Sequence, residues 1–130
     1  MMLYAGIRPH EVARLTWAQV DLRERAIYIL PQHSKTGGAR RVTIHKPLLR
    51  ILSRYEGRPH EKKICPAGWN SPARPWPQDA LRHTFASYHL SHFRSYAELQ
   101  VEIGHRDATL LRTRYVDQRR VRASARFWAA

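Results

Sequence analysis

Ala26-Ile27-Tyr28-Ile29-Leu30, then Ser34-Lys35-Thr36-Gly37-Gly38, then Arg41-Val42-Thr43-Ile44: this stretch decides the fold. The two apolar runs are β-branched and aromatic, and the segment between them is turn-prone, so the pattern predicts an antiparallel hairpin. Period-two alternation puts Val42 and Ile44 on one face and Arg41 and Thr43 on the other. Lys35 falls at or beside the turn. On both sides of the hairpin the apolar spacing becomes helical. Arg8-Pro9-His10-Glu11 opens a helix, with Pro9 in the first turn and Glu11 near its positive end, and Val12 and Leu15 share a stripe. That helix is expected to run to between Trp17 and Val20. Leu48, Leu49 and Leu52 predict a short helix from Pro47 to Tyr55. Helical spacing resumes at Asp79, the expected N-cap, through Leu81, Phe85 and Tyr88. Tyr96, Leu99 and Ile103 predict a further helix stopped by Gly104, and Ala108, Leu111 and Tyr115 another. Between them, residues 56–77 hold Pro59, Pro66, Pro72, Pro75 and Pro77, five of the chain's eight prolines, and read as an irregular connector. With one hairpin and no repeated strand–helix units, the fold class is α+β, mainly helical, with a small antiparallel sheet.

The chain has 130 residues, 43% of them hydrophobic, which suits one domain with a modest core. No apolar run approaches the ~20 residues of a membrane span, and the opening lacks a secretory pattern. A single cysteine, Cys65, excludes an internal disulfide and a cysteine-based zinc cluster. Together these predict a cytoplasmic protein without a membrane partner. Twenty-three Lys and Arg against 10 Asp and Glu give a net charge of +13, which predicts a polyanionic partner, double-stranded DNA first among them. The eight histidines are scattered, and none makes the helical i, i+4 pair flanking a glutamate that marks a metalloprotease, so no metal is expected.

Taken singly, Arg8, Lys35, Arg82, His105 and Tyr115 are ordinary basic or aromatic residues. Their contexts and order carry more. Gly6-Ile7-Arg8-Pro9-His10-Glu11 looks like the first-arginine motif of the tyrosine recombinases, the phage integrase family. Ser34-Lys35-Thr36-Gly37 resembles that family's hairpin lysine. Leu81-Arg82-His83-Thr84-Phe85 is similar to its second-arginine helix, and Ile103-Gly104-His105 to its glycine–histidine motif. His105 follows Arg82 by 23 residues and Tyr115 follows His105 by 10, close to the family's separations.

The resemblance implies a role for each matched position. Arg8 and Arg82 would grip the scissile phosphate and stabilise charge on its oxygens in the transition state. Lys35 would protonate the departing 5′ oxygen, and His105 would hydrogen-bond the phosphate or assist proton transfer. Tyr115 would attack phosphorus and form a 3′-phosphotyrosyl link, with no metal, ATP or other cofactor. Glu11 would order the arginines. Two departures stand out. Asp79 occupies the position where the family commonly carries histidine. The resemblance also implies that residues 1–130 form a partial catalytic domain, without the family's N-terminal DNA-gripping domain. The reading is therefore a site-specific recombinase or integrase, alone or as a homo-oligomer on DNA. Its alternative is a catalytically impaired DNA-binding remnant of an integrase. A topoisomerase using the same tyrosine chemistry and a helix-turn-helix regulator remain further readings. The arginine-rich tail (Arg112, Arg114, Arg119, Arg120, Arg122, Arg126) is expected to touch DNA or a neighbouring protomer.

Overall fold

A computed structural model describes residues 1–34, 37–69, 77, 79–105 and 121–130, with side chains in the last segment from residue 123. The hairpin is present, one residue out of phase with the sequence expectation at its ends. Strand β2 (Ala26–Ile29) pairs antiparallel with β3 (Arg40–Thr43), in the register Ala26 to Thr43, Ile27 to Val42, Tyr28 to Arg41 and Ile29 to Arg40. A strand the sequence reading missed, β1 (Val20–Asp21), adds to β2 and completes a sheet of order β1-β2-β3. It was hidden because its turn contains no glycine. Asp21 Oδ1 accepts from the Glu24 amide at 2.8 Å, and Arg25 takes the left-handed conformation at φ 49°.

The helices are α1 (Met2–Ala5), α2 (Pro9–Val12), α3 (Lys46–Leu52), α4 (Ala80–Phe93), α5 (Tyr96–Ile103) and α6 (Val121–Ala129). Helix α2 is much shorter than its sequence pattern implies. Beyond Arg14 the chain turns extended at Thr16, which bridges to Lys63, while the Trp17 amide donates to the Lys62 carbonyl and the Ile64 amide to the Leu15 carbonyl. Pairing with the connector thus replaces helical hydrogen bonds that local spacing favoured. Asp79 stands at the N-cap of α4 but makes no side-chain cap bond, and sits left-handed at φ 59°. The expected helix over 108–115 lies outside the described residues, as does all of the arginine-rich tail except Arg126, which is exposed on α6, and the backbone of Arg122.

Two apolar clusters hold these elements. The first joins the inner face of the sheet (Ile27, Ile29, Val42, Ile44) to Ala5, Ile7, Val12, Leu15, Leu48 and Leu52. The second is Phe85 and Ala86 of α4, Leu99 and Ile103 of α5 and Trp128 of α6. Helix α6 docks through Trp128, whose indole donates to the Tyr88 carbonyl at 3.2 Å, and through Phe127, stacked on Tyr88 with centroids 4.2 Å apart. The buried positions of α4 are Arg82, Phe85, Ala86, Ser87 and His89, with Leu81 only half-buried. Two of those five positions are cationic or titratable side chains. This is why the sequence pattern pointed to Leu81 instead.

Candidate functional site

Glu11 is the centre of a buried charge network. It is fully buried, and its carboxylate takes both terminal nitrogens of Arg40, at 2.9 and 2.7 Å, a paired, charge-assisted geometry. The same carboxylate accepts the Arg8 main-chain amide at 3.0 Å and the Arg8 guanidinium at 3.4 Å. Burial alone would raise the Glu11 pKa, but the hydrogen bonds and charges of Arg40 and Arg8 outweigh it and hold it below the ordinary value. Arg40 reaches Glu11 because of the sheet register: it pairs with Ile29, on the same face as Val42 and the core.

Both motif arginines run to one short main-chain segment. Arg82, 3% exposed, donates from Nη1 to the Gly6 carbonyl at 2.7 Å and from Nη2 to the Ile103 carbonyl at 2.5 Å. Arg8 donates from Nη2 to the Gly104 carbonyl at 3.2 Å, and Arg40 Nε donates to the Glu102 carbonyl at 2.9 Å. Three guanidinium groups, from three distant parts of the chain, thus hold the consecutive carbonyls of residues 102–104 at the end of α5. Two glycines permit this approach. A Cβ on Gly6 would stand 2.5 Å from the Phe85 ring, and one on Gly104 would stand 3.1 Å from the Arg40 side chain; both glycines are left-handed, at φ 60° and 63°. His105 follows directly, half-buried, its amide bonded to the Gln100 carbonyl at 3.1 Å.

Behind these carbonyls lies a second polar cluster. The Glu102 side chain faces His45, which precedes α3, and His89 on α4, with Oε2 3.6 Å from Nε2 of each imidazole. That distance is too long for hydrogen bonds. Among the described residues, His45 Nε2, His89 Nδ1 and Glu102 Oε2 have no hydrogen-bond partner. Aromatic rings enclose the cluster: Phe93 and Trp128 lie 4.9 and 4.6 Å from the His45 ring, and Phe85 lies 5.5 Å from that of His89. Burial lowers the His89 pKa to about 4. For Glu102 burial acts upward, but His45, Thr43 and the charge of His89 more than offset it, and its pKa lies below the ordinary value.

The family model for the phage integrase family matches residues 1–68, just over half of the chain. The chain belongs to the phage integrase family. No curated protein matches this integrase-family sequence. Its fold is similar to that of XerA recombinase, with TM-score 0.67 at 18% identity over 96% of this chain and 53% of the other. It is also similar to the Tn1549 transposon integrase in complex with a circular intermediate DNA, with TM-score 0.62 at 18% identity over 96% of this chain and 55% of the other. A third likeness is to XerH site-specific recombinase bound to its difH substrate, with TM-score 0.59 at 18% identity over 99% and 45%. At such identities the likeness is one of fold. The chain spans about half the length of these integrase-family structures. No described helix is long and apolar enough to cross a membrane.

Of the motif residues recognised in the sequence, the structure brings together Arg8, Arg82 and the Gly104–His105 main chain, and the Glu11 carboxylate hydrogen-bonds Arg8. Asp79 is exposed at the start of α4 and makes no side-chain cap bond. Lys35 and Tyr115 lie outside the described residues. Sequence reasoning missed Arg40, although its parity with Val42 and Ile44 already placed it on the inward face, where an arginine needs a buried acid. It also missed His45, His89 and Glu102, which come from three elements and share no sequence spacing.

Proposed function

We propose that this chain carries the catalytic-domain chemistry of a site-specific DNA recombinase: metal-independent cleavage and rejoining through a 3′-phosphotyrosyl intermediate. The observation that carries this reading is the convergence of Arg8 and Arg82 on adjacent carbonyls beside His105. Residues separated by most of the chain become neighbours there, in the order the family's motifs require. Each terminal guanidinium nitrogen carries two N–H groups. On Arg8, one N–H per nitrogen goes to Glu11 or to the Gly104 carbonyl, and the second is the donor a phosphate oxygen would take. In this reading Arg8 and Arg82 stabilise the pentavalent phosphorane and His105 assists at the same phosphate. Lys35 protonates the leaving 5′ oxygen and Tyr115 is the nucleophile. A phenol with a pKa of about 10 needs such cationic neighbours to attack. The net charge of +13 supports duplex DNA as partner, held mainly through phosphates and weakened by salt.

A second reading, a DNA-binding remnant without cleavage activity, is favoured by two observations. Arg82 is 3% exposed, and Asp79 stands where the family has histidine. A nicked suicide substrate separates the two. Covalent protein–DNA adduct on denaturing electrophoresis, mapped by mass to Tyr115 and lost in Tyr115→Phe, establishes the recombinase reading. Salt-sensitive duplex binding without adduct, also in a version extended upstream, establishes the remnant. An adduct that persists in Tyr115→Phe overturns the nucleophile assignment.

A further inference from the structure

We propose that His45, His89 and Glu102 form a binding site for one divalent transition-metal ion, zinc by ligand preference, that clamps α4, α5 and the β3–α3 junction together. One nitrogen from each imidazole and one carboxylate oxygen lie within 4.8 Å of one another. Two imidazoles and a carboxylate are a ligand set that zinc takes in proteins, with a water in the fourth position. At the usual zinc–ligand distances of about 2.0–2.2 Å, tetrahedral ligands stand roughly 3.3–3.5 Å apart. Glu102 Oε2 is 3.6 Å from Nε2 of each histidine, a few tenths of an ångström wide of that spacing, and the three ligand atoms together lie within 4.8 Å, so closure on an ion draws the widest pair in by up to roughly 1.5 Å.

The unpaired atoms are the second line of argument. Buried polar atoms are nearly always hydrogen-bonded, because leaving one unpaired costs about 1–3 kcal/mol. Here His89 is 1% exposed and Glu102 7%, and three of their and His45's polar atoms find no hydrogen-bond partner among the described residues. An ion held by Nε2 of both imidazoles and by Glu102 Oε2 would satisfy two of these atoms, His45 Nε2 and Glu102 Oε2, with His89 Nδ1 left outside the ligand set. The enclosing rings of Phe85, Phe93 and Trp128 shield the ligands from competing water. The ion takes no part in strand chemistry. Its place is structural: the Glu102 carbonyl receives Arg40, so fixing the Glu102 side chain also fixes the segment on which Arg8 and Arg82 converge.

The test uses the full chain, stripped with a chelator, then titrated with zinc against a chromophoric competitor and with cobalt followed by visible absorption. The proposal expects one equivalent bound, cobalt bands of tetrahedral intensity, and a thermal midpoint that rises with zinc concentration. Glu102→Gln is isosteric and His45→Gln retains polarity, so both preserve the fold, checked by circular dichroism. Each should weaken zinc by more than the ~10–100-fold that loss of a mere outer-shell partner costs. His92→Ala, which removes an exposed neighbouring imidazole, should bind as the parent does. Absence of binding by the parent chain overturns the proposal. So does undiminished binding in both Glu102→Gln and His45→Gln, which would assign the ion to surface histidines.

Discussion

The two faces of residue Glu102 make the instructive comparison. Its main chain belongs to a network in which each buried charge meets an opposite charge or a carbonyl: Glu11 with Arg40 and Arg8, Arg82 with Gly6 and Ile103. Its side chain belongs to a cluster of similar burial in which polar atoms face one another at 3.6 Å without hydrogen bonds. Burial is common to both. The difference is satisfaction. A satisfied network fixes geometry and resists change, because removing any member strands the others. An unsatisfied one has capacity left for a ligand. Substitutions on the arginine side should therefore cost stability in proportion to the partners they strand.

The largest effect is expected at Glu11. Glu11→Ala leaves Arg40 and Arg8 without their carboxylate, and breaking a buried pair from one side typically costs about 3–5 kcal/mol. Urea unfolding followed by tryptophan fluorescence measures it, and a loss below ~1 kcal/mol would show that the Glu11 pairing adds little to the fold. The pH dependence follows with a definite sign. The Glu11 pKa is lowered in the folded chain, so its contribution is complete above the unfolded value of 4.5 and is lost as pH falls through the folded value. The parent should therefore lose more stability below pH 4.5 than Glu11→Gln, in paired unfolding curves.

Arg82→Lys comes next. One ammonium replaces a planar fork that spans two carbonyls, and a buried carbonyl left without its charged donor should cost about 1.5–3 kcal/mol. Equal stability of the two proteins would show that the Gly6 and Ile103 contacts carry little. Gly104→Ala is smaller. A left-handed backbone costs a non-glycine residue roughly 1–2 kcal/mol, and the new methyl meets Arg40 at 3.1 Å. Thermal unfolding should register the loss, and Glu11→Ala should reduce it in a double-mutant cycle, since Arg40 is then free to move.

What the sequence made legible follows the same division. The hairpin, the helix stop at Gly104 and the neighbourhood of Arg8, Arg82 and His105 all follow from local signals: β-branched alternation, a left-handed glycine and ordered motifs. Strand β1, the early end of α2 and the inward Arg40 do not, because pairing between segments distant in sequence sets them. The connector at residues 62–64 takes the hydrogen bonds that helix α2 would have used. His45, His89 and Glu102 were the least legible of all. Their meeting depends on three elements packing, and helix α4 disguises its inner stripe by placing Arg82 and His89 there.

The smallest effect tests a residue where sequence and structure part company. Asp79 has the position of an N-cap, yet its side chain makes no cap hydrogen bond and its backbone is left-handed at φ 59°. A capping aspartate is worth about 1 kcal/mol over alanine and only a few tenths over glycine. An uncapped left-handed residue behaves differently, because glycine adopts φ > 0 without steric cost. Asp79 is exposed, so little packing accompanies its replacement. Its charge near the N-terminus of α4 contributes roughly 0.3–1 kcal/mol through the helix dipole, which opposes the gain in backbone freedom. Asp79→Asn removes the charge while keeping a residue that tolerates the left-handed region. Asp79→Gly should then be at least as stable as Asp79→Asn, with a difference under ~1 kcal/mol in thermal unfolding. If Asp79→Gly is the less stable of the two, the side chain is capping α4 after all, and the N-cap expected from the sequence is restored.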